Sequence, residues 1–190
     1  TLGSQVIHGT DSFGVRWSMQ RDQFAGWDDS AGVDGAVVQR SRAAGAWGGT
    51  SYDQAAHPSF GGLVFAATPA DLLAARDRLK AACSLTDTTL TVDREGSVRS
   101  MTVRREDAVL FKPQSPTVAA WSIQLVALDP RKLGAMLTAS TALPSSSGGL
   151  TVPYTIPTYT IASTVVTGQV ALTNAGNVTG PVRLRIDGPV

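Results

Sequence analysis

Apolar and polar residues swap at period two through several short stretches of the chain. In GVRWSMQ, residues 14–20, and GAVVQRSRAAG, residues 35–45, that alternation predicts strands separated by glycine-punctuated loops. Phe13, Trp17, Phe24, Trp27 and Trp47 are spread through the same region. The stretch AWGGTSYDQAAHPSF, residues 46–60, has no period and carries Gly48, Gly49 and Pro58, so it is expected to be a long exposed loop.

The clearest local signal follows. Leu63, Val64, Phe65 and Ala66 form a short apolar strand, after which Thr68 can cap, Pro69 fits the first helical position and Asp71 completes a Thr-x-x-Asp cap. These predict a helix over 69–83. Leu72, Ala75, Leu79 and Ala82 recur at helical spacing, while Arg76, Asp77, Arg78 and Lys80 lie on the other side. Leu90 and Val92, then Val98, Met101 and Val103, flank a turn of Arg94, Glu95 and Gly96, which predicts a β-hairpin. In AAWSIQLVALDP, Trp121, Ile123, Leu125 and Ala127 share one strand face, and Asp129 and Pro130 end the strand.

Residues 140–149, STALPSSSGG, are small and polar and read as an interdomain linker after a first domain over 1–139. Beyond it, residues 150–190 are rich in Thr, Val and Ile. Val170 and Leu172 alternate with polar or small residues, Asn174, Gly176 and Asn177 supply turn chemistry, and Val182, Leu184 and Ile186 alternate with Arg183, Arg185 and Asp187. This predicts a hairpin belonging to a partial β-sandwich. A lone hairpin is marginal in water, so its strands need a sheet from elsewhere. The fold class is therefore mainly β with one α-helix.

Composition narrows the function. Sixteen Lys and Arg residues against fifteen Asp and Glu leave a net charge of +1, no footprint for gripping phosphates. Charged residues make up only 16% of the chain, a surface suited to assembly. Cys83 is the only cysteine, so no intrachain disulfide or cysteine-based zinc site can form, and a buried hydrophobe is its plain role. No run of 18 apolar residues occurs and TLGSQVIHGT lacks the layout of a signal peptide, so neither membrane insertion nor export is expected.

His8 and His57 have no acid or cysteine at metal-ligand spacing, and no nucleophile elbow, dinucleotide loop or phosphate loop is present. Asp28, Asp29 and Asp34 cluster among glycines; paired carboxylates can cut glycosidic bonds or hold a metal, but a solvated turn explains them as well. No catalytic residue, cofactor or metal site is assigned, and the chain reads as non-enzymatic.

Two stretches carry a resemblance: WSIQLVALDPRKL, a strand ending in Ala-x-Asp-Pro, and LTNAGNVTGPVRLRIDGPV, with Asn-x-Gly-Asn, then Pro, then a strand ending in Gly. In this order around a linker they resemble the distal tail protein (Dit) family of siphophages. The resemblance implies an N-terminal tail-tube-like β-barrel domain followed by the start of a galectin-like β-sandwich. It implies a virion protein at the tail tip, assembled in the bacterial host cytoplasm as a hexameric ring. Its partners would be the tail tube protein and hub or fibre proteins, with DNA only as passing cargo. A lumen that lets DNA slide should not be basic, so Asp28, Asp29 or Asp34 are expected to face the channel. The alternative is a carbohydrate-binding module, with Tyr154 and Tyr159 as the aromatics available for a glycan after residue 150.

Overall fold

The computed structural model describes residues 1–142, 145–147, 164–166 and 168–188. The chain divides into two compact units, 1–134 and 135–190. The first contains β1 (Gly9–Thr10), β2 (Arg16–Met19), a 3-10 turn (Arg21–Gln23), β3 (Val33–Gln39), β4 (Ala46–Asp53) and β5 (Ser59–Phe65). The helix α1 (Pro69–Ala82) comes next, followed by β6 (Thr88–Arg94), β7 (Ser97–Arg105), β8 (Leu110–Pro113) and β9 (Val118–Val126). Mostly β with a single helix, this unit is a curled half-barrel sheet.

Strand order is β1-β2-β5-β9-β7-β6, every neighbouring pair antiparallel, with β8 also on β9. The hub is β9. One edge pairs with β5 from Phe65↔Val118 to Ser59↔Gln124, and the other is shared by β8 and the end of β7. Its alternation explains the position: Ala119, Trp121, Ile123 and Leu125 are buried on one face, while Ser122 and Val126 are half-buried on the other.

Trp121 packs edge-to-face on Trp17 of β2, ring centroids 5.7 Å apart at 77°. Between their strands Gly62 of β5 pairs with Met19 on one side and Trp121 on the other. A Cβ at Gly62 would land on the Ser18 carbonyl oxygen.

Helix α1 starts as its sequence dictates. The Thr68 hydroxyl accepts from the Asp71 backbone N–H at 3.2 Å and donates to the Asp71 carboxylate at 2.7 Å, with Pro69 in the first turn. It ends at Cys83, whose N–H reaches the Leu79 carbonyl. Leu72, Ala75 and Leu79 join the core that contains the buried Trp17, Trp27 and Trp121.

The first ten residues join the margins of the sheet. Thr1 exchanges backbone hydrogen bonds with Thr91 and the Gly3 N–H donates to the Thr89 carbonyl, both on β6, while Gly9 and Thr10 pair with β2. Leu2 and Ile7 between them are buried, so this segment completes the core instead of trailing from it.

Three expectations fail. Residues 46–60 are not one long loop: Ala46–Asp53 is strand β4 and Ser59–Phe60 opens β5. In the second unit, β10 (Ser145–Ser147) pairs antiparallel with β11 (Thr164–Val166), so three residues of the expected linker 140–149 are strand. The expected hairpin over 170–186 forms no strand; the described residues 168–188 are irregular, with Val182, Leu184 and Ile186 exposed. Alternation supplies a face to bury but no hydrogen-bonding neighbour, and a strand needs both. Its turn chemistry does operate locally. The Asn174 carboxamide oxygen accepts from the Gly176 N–H at 2.9 Å, and its amino group donates to the Val178 carbonyl.

Candidate functional site

Strands β3 and β4 form a two-stranded sheet separate from the seven-stranded one. They pair from Val33↔Asp53 to Gln39↔Ala46, with a bulge between Gly35 and Val37, and the Gln54 N–H to the Gly32 carbonyl closes the root at 2.7 Å. Every residue of β3 is exposed, and all of β4 beyond Ala46. Yet the arm carries Val33, Val37, Val38, Trp47 and Tyr52, each 63–68% exposed. At its tip the Arg40 guanidinium lies 4.5 Å from the Trp47 ring centroid.

Such an arm is expensive in water. An isolated two-stranded ribbon is marginal, and each large apolar side chain moved from water into a packed contact contributes roughly 1.5–3 kcal/mol. The other three tryptophans are at most 5% exposed, which sets Trp47 apart. Apolar surface concentrated on one projecting element marks an interaction surface.

The root is tied down by charge and turn geometry. The Arg94 guanidinium grips Asp28 with both nitrogens at 3.0 and 2.8 Å, linking the loop before β3 to the β6–β7 turn. The Asp29 carboxylate accepts from the Gly26 N–H at 3.1 Å. Asp34 sits on β3 opposite Tyr52, exposed. The three acids thus do different things, and among the described residues no group of three His, Cys, Asp or Glu is placed to hold a metal.

The other singled-out residues fall as follows. Leu72, Leu79, Trp121, Ile123 and Leu125 are in the core, and the Trp121 Nε1–H has no partner there. Asp129, just past β9, holds Arg131 in an exposed ion pair, and Pro130 lies between them. Hydrogen bonding from Arg131 keeps the Asp129 carboxyl below the ordinary carboxylate range. Asn177 lies in the Asn174 turn. Tyr154 and Tyr159 lie outside the described residues.

Two groupings were invisible in the sequence because their members are far apart along it. His57 Nδ1 meets the Glu106 carboxylate at 2.7 Å, both exposed, beside an open groove of about 540 Å³ lined by Lys80, Leu85, Arg105, Glu106, Asp107, Ala108 and Val109. Cys83 does not line it, and burial pushes that thiol up to about 11, so it is no nucleophile at neutral pH. The second grouping is Asp11. Its carboxylate accepts from the Phe13 and Val15 N–H groups, the Trp17 indole at 3.1 Å and Arg78 at 3.1 Å, while Arg78 also stacks 4.2 Å from the Phe13 ring centroid. Burial alone would raise the Asp11 carboxyl, but the bonds from Trp17, Val15, Phe13 and Arg78 outweigh it and hold the group below its usual value. This network fastens α1 to β2.

No family model matches the chain, and no curated protein does. Among solved structures it is similar to SPP1 Dit, described as a paradigm of the hub adsorption apparatus in phages infecting Gram-positive bacteria. The similarity has 20% identity and a TM-score of 0.47, over 68% of this chain and 55% of that one. The chain therefore spans just over half the length of that structure.

Proposed function

We propose that this chain is a structural component of a phage tail tip. It assembles head to tail into a six-membered ring around the DNA exit channel and joins the tail tube to hub or fibre proteins. The observation that carries the reading is the exposed arm β3–β4. An element that contributes nothing to its own core yet bears five large apolar side chains has its burial supplied by another molecule. The two sequence motifs that resemble the distal tail family, around Asp129-Pro130 and Asn174–Asn177, supply the biological setting. A near-neutral chain suits a lumen that must not hold DNA. Of the three acids expected to face that lumen, Asp28 is paired with Arg94 and Asp29 accepts from the Gly26 N–H, so Asp34, exposed with neither an ion pair nor a side-chain hydrogen bond among the described residues, is assigned the role.

Electron microscopy of the purified chain tests the reading, alongside a Val37→Ser, Val38→Ser, Trp47→Ser variant. The chain is expected to form rings with an axial hole, and the variant single particles with an unchanged melting curve. Rings from both would show that the arm is not the joint.

A further inference from the structure

The arm has opposite charges at its two ends. Its tip carries Arg40 and Arg42, exposed, and no Asp or Glu occurs between Gly35 and Tyr52. Its root sits beside Asp28, Asp29, Asp93 and Glu95, all exposed. The bidentate Arg94–Asp28 pair brings the β6–β7 turn against the loop that leads into β3. Of these four carboxylates only Asp28 is held in an ion pair, with Arg94, while Asp29 and Asp93 accept from the Gly26 and Gly96 N–H groups. A ribbon of seven residues is about 23 Å long, and its pairing from Val33 to Gln39, bulged between Gly35 and Val37, keeps the tip away from its own root.

Two complementary patches that cannot meet within one chain can meet between copies. Resting on the proposed ring, we infer that the basic tip at Arg40 and Arg42 docks on the acidic root at Asp28, Asp29, Asp93 and Glu95 of the next copy. The occupant is a second copy of this chain. Tip and root are different patches, so the contact is heterologous: each copy gives one and receives one, the condition for a ring instead of a two-fold dimer. Charge then sets direction and register, while Val37, Val38 and Trp47 supply the area. Tip-to-tip pairing would set arginine against arginine.

Charge reversal reads this out directly. Three variants of the whole chain are compared: Arg40→Glu with Arg42→Glu, Asp28→Lys with Glu95→Lys, and all four changes in one chain. Association is followed by dilution in a mass-resolving instrument at low salt, with thermal melts as the folding control. Each single-end variant is expected to associate at least about tenfold more weakly. The four-change chain and an equimolar mixture of the two single-end variants should both recover to within about threefold of the original. Full association in either single-end variant, or no recovery in the four-change chain, overturns the tip-to-root contact. If the unaltered chain itself stays monomeric, the ring reading falls with it. If that chain associates and the reversals are silent, only the tip-to-root contact falls.

Discussion

Asp11 is the residue on which acid acts most directly. It carries hydrogen bonds from two backbone N–H groups, an indole and a guanidinium, and is nearly buried. Its carboxyl is depressed in the folded state, so the stabilisation is fully present above the unfolded value of about 3.9. It is lost as pH falls through the lower folded value. Asp11→Asn should cost about 3 kcal/mol at neutral pH by leaving Arg78 without its anion. Denaturant melts should also show a shallower loss of stability below pH 4 in the variant than in the parent. Equal slopes would mean that Asp11 is not charged in the fold. None of this was legible in the sequence, where 67 residues separate Asp11 from Arg78. By contrast Leu72, Leu79, Trp121, Ile123 and Leu125 announced themselves by period, because one-sided burial writes that period.

At the scale of elements, legibility tracked the same cause. Helix α1 was readable from Thr68, Pro69 and Asp71, and the β6–β7 hairpin from Glu95 and Gly96, which both take positive φ. Strand β4 was not readable, since every residue beyond Ala46 is exposed and it therefore has no buried face to impose alternation. Residues 182–186 show the converse: the period is present and the strand is absent. Gly62 marks a contact that no periodicity encodes. Gly62→Ala would push a methyl into the Ser18 carbonyl and separate β2 from β5, at a cost of about 1–3 kcal/mol. A lowered denaturation midpoint with the native fold retained is the expected result, and an unchanged midpoint would show that the strands can part freely.

At the scale of the whole molecule, the first unit divides its labour. A curled sheet, one helix and the N-terminal segment make a core that closes within the chain, while β3 and β4 hold their apolar side chains outside it. The proposed ring was legible in the sequence only through the resemblance carried by two short motifs, with which the low charge content is compatible. Which element would join the copies was not legible there, because an intermolecular contact leaves no intrachain pattern. The chain's function, in this account, is to close on copies of itself around a hole. The mass of the purified particle in solution tests that claim most directly. Six copies of a 19.8 kDa chain are predicted to form one discrete species that loses mass stepwise on dilution. A single 19.8 kDa species at every concentration would contradict it.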